Sequence, residues 1–167
     1  MPNAFVQQPY ASIAKKLLEA LRRRFGDDLV SVVVFGSVAR GDARADSDLD
    51  VLIVIRGLPK GQLHRSKLFD EVERELENEL TAASAKGYSV EISPIMKTPE
   101  EADGFSTLYM DLTEDALILY DKDGFFLKVL EKEREILRKL GYERVKLGKA
   151  WYWRKRDYKK GEVINYE

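Results

Sequence analysis

Between residues 10 and 25 the apolar side chains Ile13, Leu17, Leu21 and Phe25 recur every four positions, and the run stops at Gly26-Asp27-Asp28. That spacing lines one face of a helix and predicts the first element. The pattern then changes: "LVSVVVF" (29–35) and "LDVLIVI" (49–55) are short, β-branched and almost wholly apolar, which predicts two buried strands, the second closed by Gly57 and Pro59. Residues 63 to 83 return to helical period through Leu63, Phe69, Val72, Leu76, Leu80 and Ala83, so one long helix is expected, stopped by Gly87. "YSVEISPIM" (88–96) alternates Val90 and Ile92 with Ser89, Glu91 and Ser93, the mark of a half-buried strand with one carboxylate on its less apolar side. Thr98, Pro99 and Glu101 stand as N-cap, first helical residue and capping-box partner, which predicts a short helix to about Leu112. "ALILY" (116–120) reads as a strand and residues 121–124 as a turn. The stretch "FFLKVLEKEREILRKLG" reads as a final helix ended by Gly141, with Phe125, Phe126, Leu127 and Leu130 in the core.

Helix, strand, loop, strand, helix, strand, helix, strand, helix and tail in that order predict an α/β (α+β) fold, a small mixed sheet flanked by helices. No repeat or low-complexity linker interrupts the chain, and the composition shifts only near the end. Residues 1–141 are therefore expected to form one domain and residues 142–167 a basic, aromatic C-terminal tail.

Composition narrows the chemistry. A chain of 167 residues with 44% apolar residues can bury a full core. Lys+Arg at 28 and Asp+Glu at 29 leave a formal charge of -1, so nothing global demands a nucleic-acid partner. With no cysteine there is no disulfide or thiolate zinc site, and a single histidine argues against a His-based metal site or triad. His64 itself, opening the long helix, reads as a surface residue or cap. The N-terminus lacks a basic start followed by an apolar block, and no apolar run nears the ~20 residues of a bilayer span. The expectation is a cytoplasmic protein without a membrane partner.

The stretch "VFGSVARGDARADSDLDVLIV" (34–54) holds the candidate chemistry. A strand that ends in Gly36-Ser37 and turns into a helix can aim backbone N–H groups at an anion, while Ser37 adds a hydroxyl. The glycine spacing has the look of a Walker loop, but Asp42 follows Gly41 where that motif needs lysine. Asp48 and Asp50, two apart at the start of a strand, turn both carboxylates to one face. Two adjacent anions call for a shared proton or a bound cation, and carboxylate and phosphate oxygens together suit Mg²⁺. Arg40 fits either a phosphate contact or a structural clamp on a neighbouring acid.

Gly36-Ser37, ten residues, then Asp48-Leu49-Asp50 resembles the signature of the DNA polymerase beta-like nucleotidyltransferase superfamily, in particular its minimal prokaryotic group. Ala39-Arg40-Gly41, Ser47 and "ALILYDKDG" extend the resemblance, which covers roughly residues 30–125. It implies a nucleotidyltransferase fold and a Gly-Ser turn that binds the triphosphate. It also implies paired aspartates that hold two divalent ions, with Mg²⁺ expected and Mn²⁺ able to substitute. The third carboxylate of the family falls on Glu91, where the family usually has aspartate. Catalytic and metal roles are thus expected of Asp48, Asp50 and Glu91, and nucleotide binding of Gly36, Ser37, Arg40 and Ser47.

The implied reaction moves a nucleoside monophosphate, AMP from ATP, to an acceptor hydroxyl with release of pyrophosphate. Minimal members are often paired with HEPN-type toxins that they adenylylate, so a protein acceptor is expected. The alternative is a nucleotide-binding or antitoxin module that acts by binding alone. "KAWYWRKRDYKKGE" (149–162) combines Trp151, Trp153 and Tyr158 with a run of bases. The rings are expected to pack on the domain or on a second subunit of a homo-oligomer, in preference to stacking on nucleic acid.

Overall fold

In the computed structural model, which describes residues 7–157, the two apolar strands lie side by side at the centre of a four-stranded sheet. β1 (Leu29–Phe35) and β2 (Leu49–Ile55) are antiparallel. β3 (Ile92–Lys97) adds parallel to β2, and β4 (Leu117–Asp121) adds antiparallel to β1, giving the order β3-β2-β1-β4. Helices cover both faces, which is why the central strands are almost wholly apolar rather than alternating. α1 (Tyr10–Phe25) covers one face, and β1 runs on into a single turn of helix, α2 (Gly36–Arg40). α3 (Gln62–Arg74) and α4 (Glu77–Ala85) join α1, packing Leu17, Phe69 and Leu76 on Val32, Val34, Val51 and Ile53. The other face is closed by α5 (Pro99–Ala102), α6 (Thr107–Asp115) and α7 (Phe125–Lys139), with Tyr109, Phe126 and Leu130 on Val33, Leu52 and Val54. No helix among the described residues is long and apolar enough to cross a membrane.

The structure corrects several expectations. The helix expected over 63–83 is two, because α3 ends in tightened bonds from the Glu75 and Leu76 N–H groups to the Val72 and Glu73 carbonyls, 3.1 and 2.9 Å. Leu76 is thereby driven fully into the core, with neither proline nor glycine to mark the bend. Leu63 is 67% exposed, since the buried face of α3 runs through Arg65, Phe69 and Val72 and Leu63 lies across the helix from Arg65. The Arg65 guanidinium reaches both oxygens of Glu101 at 2.7 and 2.8 Å and holds that carboxyl at a pKa of about 2. Glu101 also completes the expected capping box with Thr98, but Asp103-Gly104 separate α5 from α6, so the helix of residues 98–112 is also two. Leu127, placed in the core from sequence, is exposed on α7, whereas Phe126 and Leu130 are buried.

The C-terminal segment holds a hairpin that its composition hides. β5 (Tyr142–Leu147) and β6 (Ala150–Lys155) pair antiparallel around Gly148-Lys149, and Gly148 supplies the positive φ of 61° that a two-residue turn needs. Trp151 and Trp153 face inward and pack on the domain, donating their indole N–H groups to Asp111 on α6 at 3.2 and 2.9 Å. Tyr158, Lys159 and Lys160 lie outside the described residues.

One buried acid is costly to this fold. Glu133 on α7 is 1% exposed, one carboxylate oxygen has no hydrogen-bond partner, and the other accepts only a long 3.4 Å bond from the Ser106 N–H. Burial pushes its pKa up to about 7. A carboxyl raised in the folded state disfavours folding once it ionises, so stability falls as pH rises from the unfolded value towards 7 and then levels off. Glu133→Gln is expected to raise the melting temperature at pH 8, by no more than about 3 kcal/mol in stability, and to leave it little changed at pH 4. Thermal melts across that range check this, and equal melting of the two proteins at pH 8 would refute it.

Candidate functional site

Antiparallel pairing of Phe35 with Asp50 brings the end of β1 against the start of β2. The next residue, Gly36, has φ +72° and touches the Asp50 side chain so closely that an added Cβ would collide with its Oδ2 and lie 3.3 Å from its Cγ. The left-handed backbone and the close approach both require glycine here. Ser37 follows in α2, partly buried, and the turn is closed by Gly41, again left-handed at φ +79°, with the Asp42 N–H donating to the Ser37 carbonyl at 3.1 Å. Thus the Gly-Ser turn and the second aspartate form one small surface at one end of the two central strands.

Asp50 is half-buried, and its pKa is raised by burial and then by the neighbouring charge of Asp48, with Arg40 pulling the other way. Asp48 is exposed at the end of loop 41–48. In that loop the Ser47 hydroxyl accepts the Arg44 N–H at 2.8 Å, so Ser47 is engaged in building the loop. The phenol of Tyr10 donates to the Arg44 and Ser47 carbonyls at 2.6 and 3.0 Å, tying α1 to the loop that presents Asp48. Nothing in the apolar stripe of Ile13, Leu17, Leu21 and Phe25 marks Tyr10 or its hydroxyl.

Glu91 sits immediately before β3, where its carbonyl accepts the Leu49 N–H at 2.8 Å. The parallel register of Leu49 with Ile92 sets Glu91 beside Asp48 along the chain direction. Its side chain is exposed, and its charge is felt by Glu73, a carboxyl raised by burial first and then by Asp70 and Glu91. Among the described residues no group of three or more His, Cys, Asp or Glu is close enough to hold a metal ion. The charge of Asp48 acts on Asp50, and Glu91 stands beside Asp48 in strand register without the three carboxylates closing into such a group. As donors, two carboxylates of which one is half-buried beside the other fit a hard divalent cation, because a cation offsets the burial and the repulsion from Asp48 that raise Asp50.

Arg40 ends α2, its Nε 3.4 Å from Asp42, and its guanidinium lies over the Trp151 ring at 4.6 Å. His64 is exposed, with Nδ1 3.1 Å from the Lys60 carbonyl, at the start of α3.

The model of the nucleotidyltransferase domain family matches residues 14–119. The Methanocaldococcus jannaschii protein named as a putative protein adenylyltransferase is 30% identical over 131 residues, 77% of this chain and 84% of that one. Among solved structures, a toxin-antitoxin crystal structure with AMP-PNP is similar at a TM-score of 0.45 and 18% identity, over 75% of this chain and 90% of that one. The complex of a tri-AMPylated HEPN toxin of Shewanella oneidensis with its MNT antitoxin is similar at 0.43 and 14%, over 77% and 89%. At these TM-scores the structural likeness is loose; the sequence matches are not. A family match spanning both central strands and the loop between them makes this chain a minimal nucleotidyltransferase, an enzyme of the DNA polymerase beta-like superfamily.

Proposed function

We propose that this nucleotidyltransferase moves AMP from ATP to a protein hydroxyl and releases pyrophosphate, with Asp48, Asp50 and Glu91 as its acidic residues and Gly36, Ser37, Arg40 and Ser47 around the phosphates. The observation that carries this reading is the contact of the Gly36 backbone with the Asp50 carboxylate, which joins an anion-binding turn to an acid pair. Backbone N–H groups of the turn and the Ser37 hydroxyl hold the β and γ phosphates. The acceptor hydroxyl gives its proton to a carboxylate of the site as its oxygen attacks the α-phosphorus, the bond from that phosphorus to the oxygen bridging to the β-phosphate breaks, and pyrophosphate departs with its charge near Arg40. Mg²⁺ ions held by Asp48 and Asp50 would acidify the acceptor hydroxyl and neutralise charge on the phosphates. The turn and the acids are fixed on the ends of paired strands, so the chain contributes position more than covalent chemistry. In this reading residues 1–141 form the catalytic domain and residues 142–167 an appended tail.

The name of the Methanocaldococcus relative supports a protein acceptor, and the family resemblance supports a HEPN-type toxin as that acceptor. Incubation with α-labelled ATP and Mg²⁺ in a lysate of the source organism is expected to label a protein and release pyrophosphate. Pyrophosphate release without a labelled protein would overturn the acceptor; ATP binding with neither product would leave a binding module. Glu91→Gln tests the third acid. With Glu91 in register beside Asp48, the variant is expected to keep its affinity for ATP and lose transfer by a factor on the order of 10². Transfer at the wild-type rate would remove Glu91 from the site.

A further inference from the structure

We propose that the C-terminal hairpin is a working part of the nucleotide site, with Trp151 as a positioning residue that holds the Arg40 guanidinium beside the Gly36-Ser37 turn. The proposal rests on the reading of that turn as the nucleotide-binding element.

Arg40 is four residues after Gly36, so within the single turn of α2 it stands on the same side of the helix. Its charge acts on Asp50, the carboxylate that touches Gly36. Yet α2 is too short to fix a long side chain by itself, and the contact with Asp42 is long and at an exposed carboxylate. The firm contact is with the hairpin, where the guanidinium carbon lies 4.6 Å from the centre of the Trp151 ring. That ring is anchored in turn. Its N–H donates to Asp111, and Arg144 lies over it at 4.0 Å while making two bonds of 3.1 and 2.8 Å to Asp115. Asp111 also receives the Trp153 N–H, so both tryptophans key β6 to α6. A continuous chain of contacts therefore runs from α6 through Trp151 to Arg40.

The chemistry suits an anion. An aromatic ring engages the flat face of a guanidinium and leaves its in-plane N–H edge available, whereas a carboxylate partner would consume that edge. Trp151 can thus orient Arg40 without competing with phosphate oxygens for its donors. Loss of the ring leaves the positive charge in place but free to sample many rotamers, which weakens ATP binding more than it slows the chemical step.

The two tryptophans of the protein are both in the hairpin, which supplies a direct readout. In Trp153→Phe, Trp151 is the sole indole, and added ATP with Mg²⁺ is expected to change its emission saturably, with the midpoint that calorimetry gives for ATP. Trp151→Leu is expected to raise the KM for ATP about five- to twentyfold with kcat altered less than about twofold, and Trp151→Phe to restore most of the affinity. Circular dichroism and melting of each variant separate this from loss of the fold. If Trp151→Leu does not fold, Trp151→Phe and the emission titration still decide. ATP binding with unmoved Trp151 emission, or an unchanged KM in a folded Trp151→Leu, overturns the hairpin's role. Absence of ATP binding to the wild-type protein in calorimetry overturns the nucleotide-site reading instead.

Discussion

Asp48→Asn and Asp50→Asn are each expected to lower AMP transfer by a factor on the order of 10² to 10³, and to erase the gain in ATP affinity that Mg²⁺ confers, while the protein stays folded. The reason lies in how the pair is built. Asp50 is half-buried against Gly36 with Asp48 beside it, and its carboxyl is raised by burial and by that neighbour. A raised carboxyl makes the fold more stable when protonated, so its contribution improves as pH falls through the raised pKa and is unfavourable above it. Asparagine keeps the shape without the charge. Asp50→Asn is therefore expected to melt no lower than wild type near neutral pH and to depend less on pH, which separates lost chemistry from lost structure. Transfer of labelled AMP, calorimetry with and without Mg²⁺, and thermal melts at several pH values check the three parts. Full transfer by either variant would remove the paired acids from the mechanism.

The parts of this molecule that were legible in the sequence are those decided by local pattern. β1 and β2 begin and end where their apolar runs do, because strands covered by helices on both faces admit a buried polar residue only where it is paired, as the Ser31 hydroxyl is with Asp121 at 2.7 Å. α1 fills its expected range, with Gly26 taking the positive φ at its end. What escaped were features decided by tertiary demand. The break at Glu75-Leu76 has no breaker residue and exists because Leu76 must reach the core. Arg65 occupies a core position because Glu101, 36 residues on, neutralises it. The hairpin of β5 and β6 was hidden because its Arg144 and its two indoles find their partners, Asp115 and Asp111, on α6, a helix well before it in the chain. At the site the spacing of Gly36, Asp48 and Asp50 was visible because the loop between them has a fixed length. The exposed side chain of Glu91, the engagement of Ser47 inside the loop and the bonds of Tyr10 depend on register and on loop geometry that no spacing encodes.

Gly36→Ala is expected to lose transfer almost as completely as Asp50→Asn, although it adds one methyl group and removes no charge. Two costs arise together. An alanine at φ +72° carries left-handed strain of about 1 kcal/mol, felt as a modest fall in melting temperature. The larger consequence is steric, because the new Cβ would occupy the space of the Asp50 Oδ2. That oxygen is the tip of a side chain, so the collision is relieved by rotating the carboxylate away, which displaces the group on which the proposed chemistry depends. Stability is then expected to fall by roughly the strain alone, while transfer falls by a factor on the order of 10². A double-mutant cycle distinguishes this from general damage to the turn. If both changes act through the same carboxylate, Gly36→Ala made in the Asp50→Asn protein should cost little further transfer, whereas independent effects would multiply. Multiplied losses in the double variant would show that Gly36 acts by some route other than its contact with Asp50.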